Sequence, residues 1–132
     1  MTAPRMAVDT PAEAQLYIEV STAGRVTTLR LVGTVNAYTV PKLAARIDDA
    51  VKHGAWSIVV SLAEVDQVDA EVGIGVLLRA LRRMQALDGY LVVADPSDLI
   101  RRAVKARGLA LVLAVFPAEE AAVDFLASWR AA

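Results

Sequence analysis

The sequence contains no cysteine, a single histidine (His53) and few aromatic residues. Without cysteine, the chain has no disulfides, no thiolate nucleophile and no cysteine metal site. Aromatic residues make up 5% of the 132 residues and hydrophobic residues 56%, so the core must consist mainly of Ala, Val, Leu and Ile packed between layers. This composition is typical of an α/β domain, and the length predicts one domain with one core.

The sequence also lacks an excess of charge of either sign. Its 14 basic and 15 acidic residues give a net charge of -1, which provides no global field to attract nucleic acid or anionic lipid. No run approaches the roughly 18 apolar residues that span a bilayer, and the first residues contain no apolar signal-peptide core. We therefore expect a cytoplasmic protein that binds no nucleic acid and does not insert into a membrane.

Hydrophobic patterning predicts the order of the elements. Residues 1–14, rich in Ala, Pro, Thr and charge, predict a flexible leader, and residues 15–132 predict the folded domain. Strands are predicted over 16–20, 26–33, 56–62, 90–95 and 111–116. Helical periodicity and capping signals predict helices over about 41–51, 72–87, 99–107 and 117–129.

The predicted order ββαβαβαβα defines the fold class. Helices that alternate with apolar strands imply right-handed crossovers and a parallel arrangement. The first two strands, joined by the turn-prone residues 21–24, predict a hairpin that supplies an antiparallel edge. The sequence therefore predicts a single-domain α/β fold with a mixed, mostly parallel sheet of four or five strands and about four helices.

Few residues favour catalysis or cofactor binding. The Gly73-Ile74-Gly75 segment resembles the start of a dinucleotide fingerprint, but Leu78 stands where the third glycine belongs, and no phosphate-binding P-loop motif exists. Small residues that let a helix start pack closely against the sheet are the favoured interpretation. His53 falls at a predicted, solvated helix C-terminus, which favours a surface role over that of a base.

Charged clusters also favour structural interpretations. Asp66, Asp69 and Glu71 could supply oxygen ligands, but three acids on one loop more often form a solvated turn with a helix cap. The cationic segment 101–107 more often covers a solvated helix surface than binds phosphate. We therefore predict no catalytic residues, no metal site, no cofactor and no enzymatic activity.

The loop before Ile74 nevertheless has a particular geometry. It leaves the C-terminal end of a predicted parallel strand and enters a helix N-terminus, which is where α/β domains commonly bind ligands and partners. The free N–H groups and the positive end of the helix dipole favour negative charge at this place.

Three segments occur in order in the sequence: LRLVGTVNAYTVPKL, WSIVVSLAEVDQVDAEVGIGVLLRALRRMQALDGYLVVADPS and RRAVKARGLALVL. With them the sequence resembles the STAS domain of bacterial anti-sigma-factor antagonists, and the resemblance covers nearly the whole predicted domain. In that family a segment of the form D-[ST]-x-G-[LI]-G carries a hydroxyl at a helix start. A partner kinase, which is also an anti-sigma factor, phosphorylates this hydroxyl, and the unphosphorylated form binds the partner.

The resemblance implies a set of partner-binding residues and a kind of partner. The residues are Asn36, Thr39, Asp66, Asp69, Ala70, Glu71, Val72, Gly73 and Gly75. The implied partner is an anti-sigma factor and serine kinase of the GHKL type in a partner-switching pathway, and a homodimer is left open. The alternative is a soluble STAS subunit of a membrane lipid or anion transport complex.

The sequence departs from the family pattern at the phosphoacceptor. Counting forward from Ser61-Leu62, Asp69 matches the family aspartate and Ala70 falls on the acceptor. Counting back from Gly73-Ile74-Gly75, Glu71 falls on it, because one residue too many separates the aspartate from the glycine. Neither position carries a hydroxyl. In the first loop, Asn36 also replaces a common aspartate, although Thr39 keeps the usual threonine.

The two alignments predict different fixed states. Phosphoserine would place about -1.5 to -2 charges at the helix terminus, whereas Ala70 places none and Glu71 places one permanently. If Ala70 occupies the acceptor position, the protein is a constitutive antagonist. If Glu71 does, the protein resembles the phosphorylated, disengaged form. We favour constitutive binding.

Overall fold

The computed structural model describes residues 15–129, so the predicted leader over 1–14 lies outside the described residues. Five strands form one sheet in the order β1-β2-β3-β4-β5. Their bounds are Leu16–Ala23 for β1, Val26–Val35 for β2, Ser57–Val68 for β3, Tyr90–Ala94 for β4 and Val115–Phe116 for β5. The four helices are α1 over Val40–Lys52, α2 over Ala70–Ala86, α3 over Asp98–Ala106 and α4 over Glu119–Trp129.

The strand directions confirm the predicted sheet. β1 and β2 form an antiparallel hairpin in which Leu16 pairs with Gly33 and Ala23 with Val26. Gly24 has a φ of 61°, which suits a tight turn because glycine adopts left-handed conformations without steric cost. β2, β3, β4 and β5 are parallel to one another. The sheet is therefore mixed and mostly parallel, with the hairpin at one edge.

The helices lie on both faces of the sheet. The larger core is formed by α1, α2 and α3 against the sheet, and its most buried side chains include Leu29, Leu31, Leu43, Ile58, Ile74, Leu77 and Leu91. The smaller core lies on the other face beneath α4 and contains Val26, Val59, Val92, Ala94, Ala122 and Leu126. These residues alternate along the strands because successive side chains of a strand point to opposite faces.

A polar cluster fixes the start of α4 against the sheet. Arg30 on β2 donates from Nε and Nη2 to the two carboxylate oxygens of Glu119, at 2.8 and 2.7 Å. Ser61 on β3, which is fully buried, donates its hydroxyl to Glu119 Oε2 at 2.5 Å. The hydrogen bonds from Arg30 lower the pKa of Glu119 from its ordinary value of 4.5, although burial opposes this shift. The carboxylate therefore joins two strands to one helix.

Three predicted boundaries were wrong. The strand predicted over 111–116 begins only at Val115, because the Leu109 carbonyl accepts hydrogen bonds from the N–H groups of Val112 and Leu113 and closes a turn there. β3 continues beyond residue 62 to Val68 through two register shifts against β2. The helix predicted from about residue 72 begins at Ala70, so Asp69 is its N-cap and Glu71 lies in its first turn.

Candidate functional site

The candidate site lies at the edge of the sheet where β2 and β3 end and α1 and α2 begin. Asp69 donates its backbone N–H to the Val35 carbonyl at 2.8 Å, which ties the start of α2 to the end of β2. The Asp69 carboxylate accepts from the Val72 N–H at 3.2 Å and caps α2. An aspartate at this position satisfies one of the free helix N–H groups and complements the helix dipole.

The turn over residues 36–39 follows Val35 directly and forms the second part of this edge. The Asn36 side-chain oxygen accepts from the N–H groups of Tyr38 and Thr39, at 2.9 and 3.2 Å. The Thr39 hydroxyl accepts from the Asn36 N–H at 2.9 Å, and Thr39 is only 5% exposed. Asn36 and Thr39 thus hold the backbone turn. Tyr38, which the sequence analysis did not single out, presents an exposed ring beside them.

Ala70 and Glu71 occupy different environments. Ala70 is the first residue of α2, is half-buried and packs against the larger core. The Glu71 side chain is 81% exposed, and its carboxylate lies 3.5 Å from Arg107 Nη2 at the end of α3. This contact is between two solvent-exposed side chains and is therefore weak. Glu71, rather than Ala70, is the side chain that projects from the helix end into solvent.

The remaining predicted site residues divide between surface and packing. Asp66 is exposed near the end of β3, and Val72 is half-buried. Gly73 is buried, and a Cβ at this position would meet Val35, Val68 and Ile100 at 3.6 Å, which is ordinary van der Waals contact and leaves room for an alanine. Gly75 faces open space, since a Cβ there would meet only Arg79 Nη1 at 4.0 Å. Close packing therefore needs a small residue at Gly73 but not specifically a glycine, and it does not explain Gly75.

We expect Gly75→Ala to raise the free energy of unfolding by about 0.5 to 1 kcal/mol, because glycine weakens a helix interior by that amount relative to alanine. Urea denaturation followed by circular dichroism measures the change. Gly89→Ala is the matched control, since its Cβ would lie 2.6 Å from the Trp56 carbonyl oxygen and should destabilise the protein. A loss of stability in Gly75→Ala would show that the glycine has a structural role in the free chain.

The described residues contain neither a metal-binding cluster nor a helix that could span a membrane. Over residues 15–129, no group of three or more histidine, aspartate or glutamate side chains is placed to hold a metal ion. None of the helices in that range is both long and apolar enough to cross a membrane. The start of α2 carries the capping Asp69 and the exposed Glu71, two of the three acidic residues singled out in the sequence.

The sequence matches the family model of the STAS domain over residues 17–122. The chain therefore belongs to the STAS domain family. The matched region runs from β1 into α4 and includes every predicted partner-binding residue.

Solved structures give the same result for the fold. An anti-sigma factor antagonist from Mycobacterium paratuberculosis is similar with a TM-score of 0.78 and 19% identity, over 88% of this chain and 97% of that one. The anti-sigma factor antagonist SpoIIAA in its unphosphorylated form is similar with a TM-score of 0.70 and 24% identity, over 85% and 97%. A sulfate transporter family protein from Wolinella succinogenes has a TM-score of 0.65 and 15% identity, over 81% and 88%. No curated protein matches the chain.

Proposed function

We propose that the protein is an anti-sigma-factor antagonist-like binding module whose phosphorylation switch is fixed in the binding state. Its partner is an anti-sigma factor and serine kinase of the GHKL type, and the chain itself performs no catalysis. The docking surface comprises the start of α2 and the turn over 36–39, and the protein acts in the cytoplasm. The observation that carries this proposal is the start of α2, where Glu71 is exposed. Negative charge is favoured at this helix N-terminus, but neither Ala70 nor Glu71 has a hydroxyl that could be phosphorylated.

The local charge supports the binding state over the disengaged one. A phosphoserine would add about -1.5 to -2 charges at this helix end. Glu71 adds only one, and Arg107 lies 3.5 Å from its carboxylate. The side chain is also more than three-quarters exposed, so water screens its charge further. The surface that a partner meets is therefore less negative than a phosphorylated one.

Three hydroxyl groups elsewhere are poor substitutes for the missing acceptor. Thr39 is buried and bonded within its own turn. Ser61 is buried and donates to Glu119. Ser97 is half-buried and caps α3 by accepting from the Ile100 N–H at 3.2 Å. A kinase would have to displace each of these hydroxyls from its bond before transfer, which supports loss rather than relocation of the switch.

Affinity capture from the native cell tests the proposed partner. We expect the tagged chain to recover a GHKL-type kinase, with the same yield whether or not ATP is added, because the surface cannot be switched. The comparison variant is Asp69→Lys, which changes the docking surface itself by placing a positive side chain at the positive end of the α2 dipole. It should recover less kinase than the wild type. Recovery of an ATP-binding-cassette or transporter subunit instead would contradict the proposal. It would favour the transport-complex role that the likeness to the sulfate transporter family protein also suggests.

We expect serine substitution to restore the switch and to identify the acceptor position. Ala70→Ser and Glu71→Ser are incubated with the captured kinase and labelled ATP, and incorporated phosphate is located by mass spectrometry. One of the two variants should accept phosphate and then bind the kinase at least about tenfold more weakly, because phosphate adds negative charge and bulk to the contact surface.

The stability of these variants separates a switch from damage to the fold. Glu71→Ser should change the free energy of unfolding by no more than about 0.5 kcal/mol, since the side chain lies on the surface. Glu71→Gln removes the charge without adding a hydroxyl and should not accept phosphate. Incorporation of phosphate into the unmodified chain at Thr39, Ser61 or Ser97 would show that the switch has moved.

A further inference from the structure

A shallow groove lies between α1 and α2, beside the proposed docking surface. It has a volume of about 380 Å³. Its lining is mostly small or aliphatic and includes Val40, Pro41, Ala44, Val76 and Ala80. Alanines on both helices keep the walls low, so the groove can admit a large apolar side chain from outside. Val40 follows Thr39 in the chain, which makes the groove continuous with the docking surface.

The charged residues at the rim of the groove are not equivalent. Arg83 on α2 forms an ion pair with Asp48 on α1, and this pair bridges the two helices. Arg79, one turn nearer to the start of α2, also lines the groove but has no ion-pair partner within residues 15–129. Its Nη1 atom lies near Gly75, so the guanidinium is directed back toward the start of the helix.

Gly75 adds an independent observation at the same place. A glycine inside a helix costs about 1 kcal/mol relative to alanine, and a Cβ on this one would meet only Arg79 Nη1, at 4.0 Å. Within the described part of the chain, no packing contact requires it. A missing Cβ on this half-buried part of the helix surface does allow another molecule to approach the backbone closely.

From these observations we propose that the α1–α2 groove is part of the interaction surface. It receives a segment of the partner kinase in which a large apolar side chain stands next to an aspartate or glutamate. The apolar side chain enters the groove over Ala44 and Ala80, and the carboxylate binds Arg79 above Gly75. The inference rests on the proposed function, because it extends the same docking surface.

The charge and size of the groove argue for this occupant. A guanidinium that has no ion-pair partner among residues 15–129 and lies beside an apolar depression favours a carboxylate, which it can bind with two parallel hydrogen bonds. A volume of about 380 Å³ lies near the lower end of the range for ligand pockets, so the groove suits one or two side chains of a protein better than a whole helix. Desolvation of the pair by the neighbouring apolar contact would strengthen it.

Affinity measurements with the captured GHKL-type kinase test the inference. We expect Arg79→Ala and Ala44→Glu each to raise the Kd about tenfold. Arg79→Ala removes the cation, and Ala44→Glu fills the groove with a side chain of the same charge as the partner's carboxylate. Gly75→Ala should weaken binding by a similar factor while stabilising the free chain. Arg82→Ala is the matched control, since Arg82 is exposed on the same helix but does not line the groove, and it should bind as the wild type.

Ionic strength and self-association provide two further readouts. Added salt should weaken wild-type binding more steeply than it weakens binding by Arg79→Ala, because the variant has lost a charge contact. Wild-type affinity in both Arg79→Ala and Ala44→Glu would overturn the inference and leave the proposed function intact. If sedimentation shows a wild-type dimer that the Ala44→Glu substitution dissociates, the groove binds a second copy of the chain, and the inference is overturned. Failure of the wild type to bind any kinase would end both proposals.

Discussion

Replacing Leu77 with alanine is expected to lower the free energy of unfolding by about 2 to 5 kcal/mol, the range for deletion of a buried leucine side chain. Leu77 is 2% exposed and belongs to the larger core, where α2 packs against the sheet. The loss combines the transfer free energy of the deleted carbon atoms with the cavity that remains. The start of α2 belongs to the docking surface. This substitution therefore tests most directly which face of that helix is internal.

Chemical denaturation measures the effect, and Leu111→Ala is its matched control. Leu111 is 99% exposed in the turn before β5, so the same chemical change should alter stability by less than about 0.5 kcal/mol. The denaturant slope should remain similar in both variants if each still unfolds in one step. A small loss at Leu77 together with a large loss at Leu111 would reverse the assignment of interior and surface.

Glu119→Ala should produce the second large loss of stability, of about 2 kcal/mol. The substitution leaves the fully buried Ser61 hydroxyl without its acceptor, and an unsatisfied buried polar group costs about 1 to 3 kcal/mol. It also breaks the paired hydrogen bonds from Arg30, although that side chain is partly exposed and water screens its contribution. Glu120→Ala is the matched control, because Glu120 lies in the same helical turn and is exposed.

The pH dependence of this loss has a definite sign. The pKa of Glu119 is lowered in the folded state, chiefly by hydrogen bonds from Arg30. A carboxyl with a lowered folded-state pKa stabilises the protein above its unfolded pKa, and that stabilisation disappears as pH falls through the folded value. The difference in unfolding free energy between wild type and Glu119→Ala should therefore be full near pH 7 and shrink below about pH 4.5. A difference that grows on acidification would contradict this account of the cluster.

The fold was predictable from sequence because its main signals are local and periodic. The apolar runs that begin near residues 57 and 90 contain the buried strands, and Pro, Ser and Asp residues mark the helix starts. The end of the chain was harder to predict. The run from 111 to 116 is apolar throughout, yet its first half turns away from α3 and leaves Leu111 in solvent. Hydrophobicity alone does not distinguish a turn that happens to contain leucine from a strand.

The candidate site was predictable only in part. The pattern of an acidic residue before an apolar helix predicted a cap, and Asp69 does cap α2. Sequence reasoning assigned Arg107 to a solvated cationic helix and did not single out Arg79. The contact of Arg107 with Glu71 and the position of Arg79 near Gly75 arise only in the folded chain. Tyr38 carried a weak signal as one of few aromatic residues. The choice between Ala70 and Glu71 as acceptor position stays a prediction, for which the serine variants are the test.

The turn between β1 and β2 lies at the opposite end of the sheet from the docking surface. β2 has ten residues, so about 30 Å of strand separates Val26 from Val35. Gly24 at this turn has nothing within 4 Å of a built Cβ, and Arg25 beside it is exposed. A dye or immobilisation tag attached at residue 25 would therefore leave the far end of the molecule accessible, so that surface-based binding measurements orient every copy with its docking surface toward solution.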